Sequence, residues 1–382
     1  MKKRIFSFFC ALLLLFPLHL SVSAENDPLS LDCVSAILIE QSTGTVLYEK
    51  EADIPLPPAS VTKIMTLLLI AEAIDEKRIT LADSVETSEN AASMGGSQIF
   101  LEPGESMTVE DMIKSIAVAS ANDAAVAMAE FIAGSEEAFV DKMNEKAKEL
   151  GMTNTHFVNP TGLDDSVNDH LTTARDISLM SRELLRHEWI FSYTKIWTDT
   201  VRNGQFGLTN TNRLIRFYNG ANGLKTGSTA KAKFCMSASA ERNGMQLIAV
   251  IMASPTRDIR NESAKKLLDY GFANYARFHV DASSCEKVRV LGGALPEVET
   301  GFAAFDRVLE KAGGREVEKV TTLDESVTAP VKAGQKVGEV VFLREGKEIG
   351  RSDVVALTDV ERLGYFGLLH RLFLRALLIP ET

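Results

Sequence analysis

The stretch Pro58-Ala59-Ser60-Val61-Thr62-Lys63-Ile64-Met65-Thr66 opens a long apolar helical pattern that continues to Ile74. Ser60 and Lys63 are three positions apart, so their side chains share one face of a helix. A lysine amine kept neutral by burial or by a neighbouring cation can take the proton of the serine hydroxyl. The start of the helix also offers backbone N–H groups to a developing oxyanion. This stretch therefore predicts a serine nucleophile, Ser60, with Lys63 as its base.

The Ser-x-x-Lys spacing is weak by itself because it recurs in the chain. The other matches are Ser192–Lys195, Ser228–Lys231, Ser263–Lys266 and Ser284–Lys287. Ser60 differs from these because it opens an apolar helix, which is expected to bury and desolvate its lysine.

A second signal is Ser120-Ala121-Asn122, which interrupts a largely helical, Ala-, Val- and Met-rich segment from Val109 to Leu150. The same spacing at Ser88–Asn90 and Ser166–Asn168 lies in polar, loop-like sequence, where Ser and Asn usually form turns or caps. Buried polar side chains need partners, which favours a functional site at Ser120 and Asn122. Small polar residues at a helix kink are the alternative.

The third signal, Lys225-Thr226-Gly227, occurs once and lies in a predicted strand. Lys225 and Gly227 then point to one side of the strand and Thr226 to the other. Lys225 supplies a cation that could hold a carboxylate and lower the pKa of Lys63. Gly227 is expected to let a substrate chain approach the backbone closely.

Around these motifs the sequence predicts a mixed α+β domain on an antiparallel sheet. Ser35–Ile39 and Val46–Tyr48 read as one hairpin. Lys233–Ala240 and Met245–Ser254 read as another, joined by an Asn-Gly turn. Further helices are expected over residues 172–186 and 261–275. From residue 280 the pattern changes to short alternating strands with Gly-rich turns, typical of a small β domain.

Four segments are therefore expected: a signal peptide at 1–24, a catalytic domain at 25–279, a small β-rich domain at 280–360 and an amphipathic helix at 361–382. The first segment has a basic start, an apolar stretch and a small-residue cleavage site, which predicts export. The last is too short to span a bilayer, and Arg371 and Arg375 share one face. It is predicted to lie in the membrane surface, with docking on the protein itself as the alternative.

Charge and residue spacing argue against two other classes of function. The formal net charge is −11 and no basic cluster is present, which is unfavourable for nucleic-acid binding. The histidines and cysteines have no metal-ligand spacing, and no H-E-x-x-H occurs, so neither a metal nor another cofactor is expected.

Taken together, the three motifs follow one another at intervals of 60 and 105 residues. In this order they resemble the penicillin-recognising serine enzymes, which include penicillin-binding proteins and serine β-lactamases. Asn159-Pro160-Thr161-Gly162-Leu163 and Gly223-Leu224-Lys225-Thr226-Gly227 narrow the resemblance to the low-molecular-mass D-alanyl-D-alanine carboxypeptidases, a family similar to peptidase family S11. The resemblance implies a β-lactamase/transpeptidase-like catalytic domain with a helical subdomain.

The resemblance also implies a role for each matching residue. The implied catalytic residues are Ser60, Lys63 and Ser120, and the implied substrate-binding residues are Asn122, Lys225, Thr226, Gly227, Ser228 and Arg260. Ser60 would attack the penultimate D-Ala carbonyl, and Ser120 would relay a proton to the leaving amine. Lys225, Thr226 and Arg260 would hold the terminal carboxylate. Arg257 lies close to Arg260 in the sequence and is an alternative to it in this role. Backbone N–H groups of Ser60 and Ser228 would form the oxyanion hole.

The implied function is removal of the terminal D-Ala from peptidoglycan stem peptides at the outer face of the cytoplasmic membrane, with β-lactams acylating Ser60. A D,D-endopeptidase of the same family is the main alternative. A β-lactamase is disfavoured because no Glu-x-x-x-Asn lies between Ser120 and Lys225. A non-catalytic penicillin-binding sensor stays open.

Overall fold

The computed structural model describes residues 29–163, 167–312 and 316–376. Its strands, in chain order, are β1 Ser35–Glu40, β2 Val46–Lys50, β3 Ser84–Glu86, β4 Ser106–Thr108, β5 Thr198–Val201, β6 Phe206–Thr209, β7 Ala221–Thr229, β8 Lys233–Arg242, β9 Met245–Ser254, β10 Tyr275–Val280, β11 Ser283–Leu291, β12 Glu297–Phe302, β13 Phe305–Glu310, β14 Glu318–Leu323, β15 Ser326–Thr328, β16 Lys336–Arg344 and β17 Lys347–Ala356. The predicted signal peptide, residues 1–24, lies outside the described residues.

The α-helices, in chain order, are α1 Lys63–Asp75, α2 Glu89–Ala92, α3 Val109–Lys114, α4 Asn122–Ala133, α5 Glu136–Glu149, α6 Ala174–Leu184, α7 Phe191–Thr194, α8 Leu214–Phe217, α9 Arg257–Asn274 and α10 Tyr365–Ala376. Short 3-10 helices cover Ala59–Thr62 and Glu188–Ile190, and a π-helical turn covers Ser115–Ala119.

A five-stranded sheet in the order β2-β1-β9-β8-β7 organises the first domain, and every neighbouring pair is antiparallel. Both predicted hairpins are present. Asn243 and Gly244 close the β8–β9 hairpin with φ of +53° and +73°, the left-handed values that an Asn-Gly turn supplies. The mixed α+β domain on an antiparallel sheet is confirmed.

Helices cover the two faces of this sheet. Ile37 and Ile39 of β1 join the large core that includes α1, α4 and α6. Between them, Leu38 points the other way and meets Gly271 of α9, where an added Cβ would lie 2.9 Å from the leucine. Helix α1 is buried on nearly all sides, as an apolar helix without a polar face must be. Its buried position carries Lys63 into the interior.

The segment from Val109 to Leu150 is not one continuous helix. It breaks at Ser120, whose φ of +66° is left-handed, and again at Gly134, whose φ is +86°. The π-helical turn before Ser120 leaves the chain out of register for a continued α-helix. The break turns the side chain of Asn122 towards Lys63 of α1 and that of Ser120 towards Lys225 of β7.

The second domain is a six-stranded sheet in the order β14-β16-β17-β12-β11-β15, with its own core around Phe342, Val340 and Val354. This confirms the small β domain. Strand β10 pairs with β13, so the predicted limit at residue 279 falls inside a strand that belongs by pairing to the later segment.

The tail forms helix α10, shorter than the predicted segment, and residues 377–382 lie outside the described residues. The large apolar side chains from Tyr365 to Phe373 face solvent, and Phe366 is 82% exposed. Among the described residues no helix combines the length and hydropathy needed to cross a membrane.

Candidate active site

Ser60 lies in the 3-10 turn directly before α1. The preceding Ala59 has a left-handed φ of +49°, an uncommon conformation for a residue with a side chain. Thr62 Oγ1 donates to Ala59 O at 2.9 Å and also contacts His170 Nε2 at 2.8 Å. Gly162 packs so closely on this turn that a Cβ there would lie 1.8 Å from Ala59 O. The nucleophile turn is thus held by contacts from two directions.

Lys63 is fully buried, and its Nζ lies 3.0 Å from Ser60 Oγ. The same amine donates to Asn122 Oδ1 at 2.5 Å and to Thr161 O at 2.9 Å. Burial, and next the charge of Lys225, hold the pKa of Lys63 well below its usual range, while Asp123 acts in the opposite sense. Two carbonyl-type oxygens take two N–H groups, so a neutral amine presents its lone pair to the Ser60 hydroxyl. This is the arrangement of a base and its nucleophile.

Ser120 and Asn122 flank the break before α4 and reach the two lysines. Lys225 Nζ donates to Ser120 Oγ at 2.7 Å, and Asn122 bridges from Lys63 to Gly95 O, to which its Nδ2 donates at 2.7 Å. A serine held in the left-handed region at this point is a strained feature of the kind that concentrates at functional sites. The structure therefore brings all three sequence motifs together.

Lys225 is also buried, and its Nζ bonds to Thr226 O at 3.1 Å in addition to Ser120. Burial, followed by the charge of Arg260, lowers its pKa to about 7. The predicted influence of Lys225 on the pKa of Lys63 is present but ranks second to burial.

A cavity of about 170 Å³ opens beside these groups. It is lined by Ser60, Ser97, Ser120, Thr211, Thr226, Gly227, Ser228, Arg257 and Arg260. Thr226 Oγ1 donates to Thr211 Oγ1 at 2.7 Å, which fixes the hydroxyl at the cavity wall. The cavity is mostly polar and cationic, which suits a carboxylate.

Both candidate arginines line the cavity, but they differ in burial. Arg260 is buried, and its Nη2 donates to Asn261 Oδ1 at 2.9 Å, whereas Arg257 is exposed. Burial, and next the charge of Arg257, lower the pKa of Arg260 to about 10. The predicted helix start at 261 is wrong by four residues: Thr256 caps α9 by accepting from Ile259 N, which places Arg260 in its first turn.

The reason predicted for Gly227 needs correction. A Cβ at Gly227 would lie 2.8 Å from Ser60 N and 2.8 Å from Pro58 O, so the close approach is made by the protein's own nucleophile turn. Any side chain at this position would push β7 away from Ser60.

The lysines of the other Ser-x-x-Lys matches and the Ser-x-Asn match at Ser88 do not line the cavity. In each of the four other Ser-x-x-Lys matches the lysine is exposed: Lys195, Lys231, Lys266 and Lys287. Ser88 caps α2 by accepting from Ala91 N at 2.9 Å, as its polar context indicated. Burial of the lysine is what distinguishes Lys63.

Sequence reasoning missed Ser97, Thr211 and His170. Ser97 and Thr211 sit in polar loops that carry no periodic signal, and His170 is an isolated histidine in the sequence. Thr161 was part of a recognised stretch, but its contribution is a backbone carbonyl, which residue type does not reveal.

Comparison with known proteins agrees with this geometry. Residues 21–256 match the family model for peptidase S11, D-alanyl-D-alanine carboxypeptidase, and residues 277–362 match the C-terminal domain of penicillin-binding protein 5. The chain is 44% identical over 381 residues to D-alanyl-D-alanine carboxypeptidase DacF of Bacillus subtilis, covering 97% of each chain.

Solved structures give the same result. Penicillin-binding protein 5 from Haemophilus influenzae superposes with a TM-score of 0.76 at 31% identity, over 87% of this chain and 98% of that one. Penicillin-binding protein D2 from Listeria monocytogenes, in its ampicillin-bound form, has a TM-score of 0.59 at 30% identity, over 64% of this chain and 98% of that one. These matches confirm the resemblance inferred from the three motifs. The chain belongs to the peptidase S11 family of serine-type D-alanyl-D-alanine carboxypeptidases.

Proposed function

We propose that this chain removes the terminal D-Ala of peptidoglycan stem peptides through an acyl-enzyme on Ser60. The observation that supports this most directly is the buried Lys63 amine, 3.0 Å from Ser60 Oγ, with its other two polar partners being oxygen acceptors. A neutral amine in that position has one available function, which is to accept the Ser60 proton.

In the acylation step, Ser60 Oγ bonds to the carbonyl carbon of the penultimate D-Ala as its proton passes to Lys63. Backbone N–H groups of Ser60 and Ser228, on facing elements, receive the oxyanion. Ser120 Oγ, bonded to Lys225 Nζ, is placed to hand its proton to the leaving nitrogen when the C–N bond breaks. The proton that Lys63 took from Ser60 replaces it on Ser120, which leaves Lys63 neutral again. Free D-Ala then departs and the ester stays on Ser60.

Water completes the cycle by attacking the ester carbonyl carbon as Lys63 takes one of its protons. The bond from that carbon to Ser60 Oγ then breaks, the shortened peptide leaves as its acid, and Lys63 returns the proton to Ser60 Oγ. During acylation, Lys225, Thr226 and Arg260 receive the carboxylate of the terminal D-Ala. The cationic side chains of Lys225 and Arg260 explain a preference for a free C-terminus, because a substrate without that carboxylate leaves buried cations uncompensated.

The test uses the protein without residues 361–382 and a diacyl tripeptide ending in D-Ala-D-Ala. We expect the wild-type chain to release D-Ala and the Ser60→Ala variant to release none above the uncatalysed rate. Benzylpenicillin should form a covalent adduct that peptide mapping places on Ser60. Equal release by the variant would rule out Ser60 as the nucleophile.

We also propose that the protein acts outside the cytoplasmic membrane and is held at its surface by α10. Exposed Tyr365, Phe366, Leu369, Leu372 and Phe373 supply apolar area for such a helix to bury among lipid headgroups. Sedimentation with phosphatidylglycerol-containing liposomes should retain the full chain and lose the chain truncated after residue 360. Equal sedimentation of the two would contradict the assignment.

A further inference from the structure

Phe100 combines an exposed aromatic side chain with a strained backbone. The side chain is 67% exposed, and φ is +57°, in the left-handed region that bulky residues rarely adopt. An exposed phenylalanine alone needs no explanation, because much of any protein surface is apolar. A strained one does, since local strain persists only where the surroundings impose it.

The surroundings here hold the backbone on both sides of Phe100. The buried carboxylate of Asp123 accepts from Ile99 N and from Leu101 N, each at 3.1 Å. From the other direction, Arg202 donates to Ile99 O at 2.7 Å and to Phe100 O at 2.8 Å. Four hydrogen bonds to charged groups thus fix the peptide units that present this one ring to solvent.

The ring packs against Phe206 of β6, at 6.3 Å between centroids in an edge-to-face arrangement. Arg202 lies over the far ring at 5.5 Å from its centroid. We call Phe100 and Phe206 the aromatic pair. It forms a fixed apolar surface, and Phe100 is three residues along the chain from Ser97, which lines the polar cavity.

The aromatic pair is close enough to the cavity to contact a bound peptide. Ser97 lines the cavity and is held there because its carbonyl accepts from Asn122 N at 2.7 Å. Three residues of extended chain span at most about 10 Å, so Phe100 lies within that distance of Ser97. On the substrate, the residue before D-Ala-D-Ala has its Cα about 3.8 Å from that of the attacked D-Ala, and a long side chain extends further.

We propose that Phe100 is a specificity-determining residue that binds the side chain of the substrate residue preceding D-Ala-D-Ala, and that it favours a long aliphatic chain there. The inference rests on the proposed carboxypeptidase function and names a subsite of the same site. Aliphatic chains gain free energy by covering exposed ring surface, whereas a methyl side chain is too short to reach it.

The experiment compares two substrates, diacetyl-L-lysyl-D-alanyl-D-alanine and acetyl-L-alanyl-D-alanyl-D-alanine. For the wild-type protein we expect kcat/KM to be about tenfold higher for the first, the lower end of what one methylene contributes in an apolar pocket, because this ring is largely exposed. In Phe100→Ala that ratio should fall below about twofold, and Phe100→Leu should keep part of it because leucine retains apolar area. Penicillin binding shows whether the alanine variant is folded. If that variant does not bind penicillin, the substrate ratio of Phe100→Leu is used for the test instead.

Phe217→Ala is the matched control, because Phe217 is 66% exposed and packs on Trp197 instead of Phe206. Its substrate ratio should equal that of the wild type. An unchanged ratio in Phe100→Ala overturns the inference while leaving the carboxypeptidase function intact. No D-Ala release from either substrate by the wild type would instead refute the proposed function. A wild-type dimer that Phe100→Ala dissolves would reassign the aromatic pair to contact between two copies.

Discussion

Lys63 illustrates how burial changes the chemistry of a common spacing. On an exposed helix, a serine and lysine three residues apart form a solvated contact with a charged amine. Here the amine is enclosed with Asn122 Oδ1, Thr161 O and Ser60 Oγ, and burial lowers its pKa. Lys63 can act as a base for Ser60 only because this environment favours the neutral amine over the ammonium.

Lys63→Arg tests that dependence because a guanidinium keeps its proton at every working pH. We expect the second-order rate of Ser60 acylation by a fluorescent penicillin to fall by about 10²–10⁴-fold, the range lost with a general base. Lys195→Arg, at an exposed lysine of the same Ser-x-x-Lys spacing, should leave the rate unchanged. An arginine variant at 63 with the wild-type rate would exclude Lys63 as the base.

The lowered pKa of Lys225 beside Arg260 gives a second prediction, which concerns the pH dependence of kcat/KM. With the pKa of Lys225 lowered to about 7, its positive charge is lost as pH rises through that value, and the carboxylate is then bound less well. On the acid side, protonation of Lys63 removes the base. The profile of kcat/KM should therefore be bell-shaped, with apparent pKa values that belong to the coupled lysines.

Arg260→Gln removes the second-largest cause that lowers the pKa of Lys225. The alkaline limb of the profile should consequently move to higher pH, while the maximum of kcat/KM falls because the carboxylate loses one cation. Steady-state kinetics from pH 5 to pH 10 measure both effects. An alkaline limb that stays in place or moves to lower pH contradicts this account.

At the scale of elements, the chain around residues 156–163 and 167–170 acts as a support for the nucleophile turn. Pro160 O accepts from Thr66, Thr161 O accepts from Lys63, and His170 contacts Thr62. Val158 N donates to His170 Nδ1 at 3.2 Å, so the ring proton lies on Nε2, facing Thr62 Oγ1. Burial, and next the charge of His156, lower the pKa of His170 to about 4, whereas Asp169 acts in the opposite sense.

This pKa predicts a pH-dependent stability. Between about pH 6.5 and 4 the unfolded chain binds a proton at His170 that the folded chain excludes, so the free energy of unfolding falls as pH falls. The loss amounts to about 3 kcal/mol over the whole window. Urea unfolding at pH 7, 5 and 4 should show this loss in the wild type and a smaller one in His170→Gln. Equal losses in the two proteins would contradict a lowered pKa of His170 in the folded protein.

Some of the secondary-structure elements could be predicted from the sequence and others could not. Strand alternation and the Asn-Gly turn were sufficient for β1, β2, β8 and β9, because those signals are local. The break at Ser120 could not be found this way, since Ser and Ala have no strong preference for a left-handed φ and the surrounding Ala, Val and Met continue a helical pattern. The cap at Thr256 and the Cβ-excluding contact at Gly227 depend on tertiary placement. The position of Thr211 in the cavity wall depends on tertiary structure as well.

For the whole molecule, Asp306 of β13 links the two-stranded β10–β13 sheet to the first domain. It accepts from Arg277 Nε at 2.8 Å on the neighbouring strand β10, and from Ser42 Oγ at 3.3 Å in the β1–β2 turn of the first domain. Ser42 in turn bonds to Glu40, and its carbonyl accepts from Arg182 of α6 at 2.9 Å. The β10–β13 sheet, which packs through Phe278 and Phe305 on the core of the β domain, is therefore linked by hydrogen bonds to the sheet that carries the catalytic strands.

Asp306→Ala should allow the two domains to unfold separately while leaving the active site unchanged. Benzylpenicillin acylates only the first domain and stabilises whatever unfolds together with it. In calorimetry we expect one wild-type transition that moves to higher temperature as a whole on acylation, and two transitions in Asp306→Ala, of which only one moves. Asp281→Ala removes a carboxylate whose side chain is 94% exposed, next to His279, and should behave as the wild type. If Asp306→Ala keeps a single transition that still moves as a whole, the coupling is carried by packing between the domains instead of this carboxylate.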